Sequence, residues 1–415
     1  MLSTRNTTWC RVLTYALLFL FPIAGNSVKS WTGIVFGLLL LTALSFYKYT
    51  VTRLTAEEKV LLWIIVLIFS TTVISNLVNG WDYEQTRGLG IYARWLLVIP
   101  IYLLIRAHPQ SLFWLANGTA FACLVLCLQG VFDVYILNLS RAYGVYKSPG
   151  LIGLQSIVFI ITLIAAIKIY SSDRRIVALY CLGCSAALAS MILSGSRSTY
   201  VTVALLLPCV IFILFKWKKA ITILGLTAFS ACVILVSSDI VSKRVQSGLQ
   251  EVTGYLDNPD PAAVDHGSVG TRLEMWKASL LIAKENPLLG VGWRNFQEST
   301  KPFVAQGAVS VSASQHPHPH NMYFESLVTT GALGFLFTIA LFGHTAYIGV
   351  RSAAFKPIAG NLLLVFVLAF VFNGINEGGA LIYGNALSFF LIYLTVLFSF
   401  AHSASEQYSP RRVNQ

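Results

Sequence analysis

VLLWIIVLIFSTTVISNLV, residues 60–78, holds no charged side chain and is bounded by Lys59 and by Asn79-Gly80. At 1.5 Å per residue, a helix of this length spans roughly 30 Å, the hydrocarbon thickness of a bilayer. Backbone groups in hydrocarbon must be satisfied within the protein, so such a run predicts a membrane-crossing helix. The same signature recurs along the chain. Apolar runs bounded by charges or turns predict twelve helices, at 12–28, 31–50, 60–78, 91–106, 111–132, 150–170, 176–193, 199–215, 220–236, 324–349, 358–375 and 380–400. The first pair is divided only by residues 25–30, and the seventh and eighth only by 194–198. Fusing either pair would invert the orientation of everything downstream.

Composition agrees. Of 415 residues, 56% are hydrophobic and 11% charged, with a mean hydropathy of +0.70, against about a quarter charged in ordinary soluble domains. A soluble globular protein is excluded; the expected class is an all-α polytopic membrane protein. The net charge of +12 then reads as topology, because Lys and Arg in short loops mark the cytoplasmic side. With the N-terminus inside, that side holds Arg5, Arg11, Lys48, Arg53, Lys59, Arg106, Lys168, Arg174, Arg175, Lys216, Lys218, Lys219, Arg351, Lys356, Arg411 and Arg412. The short outer loops hold only Lys29, Arg87, Arg141, Lys147 and Arg197. Both termini are expected to be cytoplasmic, and nucleic acid is not an expected partner. The run from Val12 lacks an A-x-A-like cleavage site and reads as a retained first helix. Cys123, Cys127, Cys181, Cys184, Cys209 and Cys232 lie in apolar runs, where free cysteine acts as a small hydrophobe. No disulfide framework or redox role is expected.

One segment departs from the pattern and divides the chain: helices one to nine (1–236), a large outer loop (237–322), helices ten to twelve (323–400) and a tail (401–415). The loop is punctuated by Asn258-Pro259-Asp260-Pro261, Gly267, Gly270, Pro287, Gly290 and Gly292, with room for two or three short helices. Between Thr271 and Lys284, Leu273, Trp276, Leu280 and Ala283 recur at spacings of three and four, which predicts a helix with one greasy face. That face would lie on the bilayer or over the mouth of the bundle.

Three of the seven histidines fall in His316-Pro317-His318-Pro319-His320-Asn321, where the loop meets the tenth helix. Imidazole suits proton transfer near neutral pH and also suits a metal; a solvated loop is the bland alternative. Arg197, in Ser194-Gly195-Ser196-Arg197-Ser198-Thr199, lies between two apolar runs. An arginine so close to hydrocarbon needs a partner, which a phosphate held by its planar fork or a lipid headgroup would supply. Arg272 opens the loop helix in Gly270-Thr271-Arg272, near N–H groups that favour an anion. Arg141 and Lys147 either add positive charge there or are ordinary loop residues. Glu325 and Glu377, near the outer ends of helices ten and eleven, either orient an Arg or His or are solvated. No G-x-x-x-x-G-K-[ST], G-x-S-x-G or H-E-x-x-H occurs, so ATP hydrolysis, serine-hydrolase and zincin chemistry are not expected.

Four stretches occur in a telling order: Ser194-Gly195-Ser196-Arg197; Gly270-Thr271-Arg272; Asn286-Pro287-Leu288-Leu289-Gly290-Val291-Gly292 followed by Phe296; and His320-Asn321, nine residues, then Gly331-Ala332-Leu333-Gly334. They resemble the O-antigen ligase and polymerase superfamily of bacterial envelope enzymes, with its P-x-x-G-x-G-x-x-x-F and H-N-x9-G-x-x-G patterns. The resemblance implies a GT-C-like fold of about twelve spans with one large periplasmic loop. It implies a glycosyltransferase of the bacterial inner membrane that takes a glycan from undecaprenyl diphosphate on the periplasmic face. Ligases pass the glycan to lipid A-core, and polymerases pass it to another repeat unit. By the same resemblance His320 is the base, Arg197 and Arg272 hold the diphosphate, and His318 and Asn321 orient His320 or the acceptor. His316 departs from the motif. No cofactor is implied, and the first outer loop, Ala24 to Trp31, has no Asp or Glu for a metal, which favours a metal-independent mechanism; the single displacement that the resemblance implies would invert the anomeric centre. Outer loops that are short apart from one favour the ligase. The repeat-unit polymerase, a glycosylase of periplasmic proteins and a transporter of polyprenyl-linked sugars are the rivals.

Overall fold

Hydrocarbon leaves this chain little but helices with which to satisfy its backbone, and the computed structural model contains helices and no strand among the described residues. Those are residues 2–226, 246, 249–255, 257, 267–378, 381 and 383–407. In order they form α1 (Leu2–Ser27), α2 (Trp31–Ser45), α3 (Tyr47–Thr50), α4 (Ala56–Val78), α5 (Tyr83–Arg106), α6 (Ser111–Val131), α7 (Pro149–Ile169), α8 (Arg174–Ser194) and α9 (Arg197–Leu214), then α10 (Gly267–Glu285), α11 (Phe296–Ala305), a 3-10 turn (Val311–Gln315), α12 (Met322–Ala353), α13 (Pro357–Asn376) and α14 (Gly384–Gln407). The chain is an all-α, multi-pass membrane protein. Ten helices among the described residues are long and apolar enough to cross a bilayer. Of the other two expected spans, the second is the 15-residue α2 followed by α3, and most of the ninth, residues 227–236, lies outside the described residues.

Both narrow divisions hold. Ser30, with φ 76°, separates α1 from α2, and Gly195, with φ 55°, ends α8 just before α9 begins. Helix α5 starts eight residues before hydropathy alone indicates, because Asp82 and Gln85 form a capping box that satisfies its first N–H groups. Helix α14 likewise runs on to Gln407, past the expected end at 400.

Two glycine motifs that lie far apart in sequence lock together. Helix α12 is interrupted at Gly331, whose φ of 63° and ψ of −164° are not helical. Residues 287–292 lie alongside the interruption and take up its backbone groups. Val291 N donates to Val328 O (2.8 Å), Gly292 N to Thr329 O (3.1 Å), and Ala332 N to Pro287 O (2.8 Å). Neither glycine has room for a side chain, since a Cβ on Gly290 would overlap the Val328 carbonyl and one on Gly331 the Leu288 backbone. The end of α4 closes the joint from behind. The Ser75 hydroxyl lies between the carbonyls of Leu289 (2.6 Å) and Thr329 (2.7 Å), Asn79 donates to Gly290 O, and Asn76 accepts from Trp293 N.

The loop helix α10 is buried differently from the expected stripe. Met275, Ala278 and Ile282 are its core residues, packed with Val291, Phe296, Phe303, Val309, Ala313 and Val328, while Leu280 is 55% exposed. Periodicity picked a face one position away, because α11, the 3-10 turn and α12 cover the helix from more than one side. At the other end of the bundle, carboxylates at the start of α4 bind the ends of neighbouring helices. Glu58 pairs with Arg106 and accepts from Tyr102, and Glu57 pairs with Arg351.

The interlock yields a stability test. Gly331→Ala and Gly290→Ala each add a clash to an unfavourable φ and should each cost roughly 2 kcal/mol or more. A marked drop in the melting temperature of detergent-purified protein is expected, with Gly37→Ala, where a Cβ meets nothing, close to wild type.

Candidate functional site

A cavity of about 1180 Å³ opens where several helices begin. Its wall includes Ser148, Gly150 and Leu151 at the start of α7, Ser196 to Ser198 at the start of α9, Ser268, Val269 and Arg272 in the first turns of α10, and Asn385 and Ala386 at the start of α14. Each of these ends carries N–H groups without intrahelical partners and the positive end of a helix dipole, so the cavity favours an anion before any side chain is counted. The end of α13 contributes Asn376 and, just beyond it, Glu377.

The structure brings Arg197, Arg272, His318 and His320 together on this wall, and Arg141 and Lys147 join them. Arg197 is held by Glu251, at 3.3 Å, whose other oxygen accepts from Val269 N at the start of α10. Burial pushes the Arg272 guanidinium down from its ordinary value, with Glu377 pulling it up and Arg197 pushing it further down. At so high an ordinary value the guanidinium still keeps its charge. Against these cations stand two carboxylates on the wall, Glu251 and Glu377.

His320 sits in a left-handed conformation, φ 50°, just before α12. Its Nδ1 faces Glu377 Oε1 at 3.7 Å, an ion-pair distance longer than a direct hydrogen bond. Burial alone would push the Glu377 carboxyl up, but His320, His318 and Arg272 outweigh it and hold Glu377 below the usual carboxylate range. The arrangement therefore keeps a carboxylate beside the imidazole, ready to stabilise positive charge that forms there. His318 packs against His320, rings 4.3 Å apart, and its Nδ1 accepts from the backbone N–H of His320. It is buried, and burial followed by the neighbouring His320 pushes it down to about 4. His318 is thus neutral at ordinary pH, a positioning acceptor and no rival cation. His316 also lies near the His320 ring, at 5.5 Å.

Asn321 is not among the residues lining the cavity. It caps α12, accepting from Tyr323 N and Phe324 N and donating to Ile375 O. Its side chain joins the start of α12 to the end of α13, and so sets His320 against Glu377. Glu325 does not reach the cavity either; it is buried within α12 and bonded to Thr329. Reading the sequence had left Glu377 undecided and never singled out Glu251, which has no apolar surroundings to betray it. Tyr383 was also missed; it lines the wall and stands against His318.

Comparison with known proteins bears on the same region. Residues 182–339 match the family described as O-antigen ligase, which supports the resemblance carried by the motifs and spans α9, α10 and the break in α12. An uncharacterized protein of Haemophilus influenzae is 22% identical over 356 residues, covering 82% of this chain and 85% of that relative.

The buried histidine has a pH signature. Between about pH 4 and His318's ordinary 6.5, the unfolded chain binds a proton that the folded one does not, so stability rises with pH across that window. The melting temperature should fall on acidification from pH 6.5 to 4.5, and His318→Asn should flatten the fall. His316, also pushed down by burial, supplies a remainder of the same sign.

Proposed function

We propose that this chain, whose residues 182–339 are similar to the O-antigen ligase family, transfers a glycan from undecaprenyl diphosphate to lipid A-core on the periplasmic face of the bacterial inner membrane. One observation carries the reading. A single cavity at the ends of the spans gathers an imidazole backed by a carboxylate with two arginines and several helix starts. The donor diphosphate would lie on Arg197 and Arg272, where fixed cations stabilise charge gathering on the leaving group. His320 would take the proton from the acceptor hydroxyl as its oxygen bonds the anomeric carbon, with Glu377 stabilising the resulting imidazolium. The bond from that carbon to the phosphate oxygen breaks, the anomeric centre inverts, and undecaprenyl diphosphate leaves. No nucleotide enters this scheme, since the lipid diphosphate supplies the driving force, and the charge stabilisation that a metal would give is assigned to Arg197 and Arg272. With both termini in the cytoplasm, this cavity faces the periplasm.

The repeat-unit polymerase is the nearest rival, and outer loops that are short apart from one favour the ligase. The test is lipopolysaccharide banding in a ligase-null strain complemented with wild type, His320→Ala, Arg197→Ala or Arg272→Ala at matched membrane levels. Wild type should restore the long-chain ladder, and each variant should lower transfer by at least about a hundredfold, the order associated with losing a general base or a charge-stabilising group. Rescue of a polymerase-null strain in its place would establish the rival. Full activity in all three variants would refute the site.

A further inference from the structure

Arg94 lies in α5, a membrane-crossing helix, and an arginine at such a place normally faces a partner. Here it makes no ion pair among the described residues, and the titratable group that acts on it is the Tyr146 phenol. Its Nη1 is buried without a hydrogen-bond partner, and the ion pairs that hold Arg106 to Glu58 and Arg351 to Glu57 at the opposite end have no counterpart for Arg94. The guanidinium is wedged between two glycines. A Cβ on Gly384 would overlap Nη1, and one on Gly33 would stand 3.4 Å from Nη2. These are the first residue of α14 and the third of α2. Arg94 therefore lies level with the starts of two spans, about 18 Å along α5 from Arg106 at its other end. That level is the end of both of these apolar helices, and the ends of membrane-crossing helices lie near the headgroups.

An approach from the bilayer is present. Gly37 follows Gly33 by one helical turn and Gly90 precedes Arg94 by one turn, so each shares a helix face with its partner; at both, a side chain would meet nothing within 4 Å. Trp31, at the start of α2, is 50% exposed, as residues of a membrane-interface belt are. On the inner side, the α14 start adjoining Arg94 continues into Asn385 and Ala386 of the cavity wall. Tyr146, on the same wall, bonds Thr32 beside Gly33.

We propose that Arg94 is the phosphate ligand of a lipid site on the rim between α2, α5 and the start of α14, receiving an amphiphile that approaches from the bilayer. A planar guanidinium with free donors, beside unpaired N–H groups at a helix start, matches a phosphate monoester or diester. Two membrane components carry that chemistry: a phospholipid headgroup, and the phosphorylated glycolipid acceptor. The second source rests on the transferase reading above; the first does not.

Delipidated protein in detergent is titrated with phosphatidylglycerol, with diphosphorylated lipid A and with neutral diacylglycerol, following bound lipid by native mass spectrometry and protection by melting temperature. Wild type should bind and be protected by both phosphate lipids and not by diacylglycerol. Arg94→Gln should weaken both by at least about tenfold. Arg94→Lys should fall between, and Gly384→Ala, which displaces the guanidinium, should weaken binding while leaving the charge in place. Wild-type affinity in Arg94→Gln, or the same loss of melting temperature with and without lipid, overturns the site; should that variant fail to fold, Arg94→Lys and Gly384→Ala decide it. A raised KM for acceptor with kcat unchanged identifies the acceptor as occupant, and an unchanged KM with lipid protection lost identifies the phospholipid. If wild type transfers no glycan at all, the transferase reading falls while the lipid titration still decides Arg94.

Discussion

A membrane helix that breaks frees backbone donors and acceptors in a place without water to satisfy them, and much of this structure follows from where α12 finds replacements. Its break at Gly331 is filled by residues 287–292. Side chains from the end of α4 complete the joint. The joint ties the segment outside the spans to the bundle at a fixed height. The first turns of α12, and with them His320, are held against α13 by Asn321 and Tyr323, which donate to the carbonyls of Ile375 and Val371. Glycine is required on both sides because backbone meets backbone there, which leaves no volume for a Cβ.

The cavity is an electrostatic device of simple design. Helices that start at its wall present positive dipole ends, and Arg141, Lys147, Arg197 and Arg272 outnumber Glu251 and Glu377 among the residues lining it. The two carboxylates serve different ends. Glu251 holds Arg197 to the start of α10, while Glu377 stands beside the His320 imidazole. Keeping His318 neutral by burial prevents a second cation from competing at that point. What results is a surplus of positive charge on the cavity wall, with an imidazole–carboxylate pair among its lining residues.

Much of the bundle was legible because the solvent is unforgiving. An uncharged run of about 20 residues has few options in hydrocarbon, and even the narrow divisions at Ser30 and Gly195 were marked by turn residues. The histidine run and Arg197 stood out for the same reason, as polar groups at the edges of apolar runs. Glu251 lay in a polar stretch, where a carboxylate attracts no notice. Arg94 was hidden in the opposite way, inside a run read as a span, although the rule that drew attention to Arg197 applies to it equally. The stripe expected on α10 missed because periodicity assumes one covering partner, and α10 has three.

By itself, then, the sequence determined what each segment must be: which stretches cross the bilayer, which residues are costly where they stand, and which short motifs belong together in order. These are local consequences of transfer free energy and backbone conformation. Only the tertiary structure decided which of the costly residues share a cavity, that Glu377 is the carboxylate beside His320 while Asn321 is a helix cap, and that residues 287–292 fill the break at Gly331. Those pairings join positions tens to hundreds of residues apart, and they are settled by packing and by the need to satisfy buried polar groups, neither of which leaves a mark at any one position in the chain.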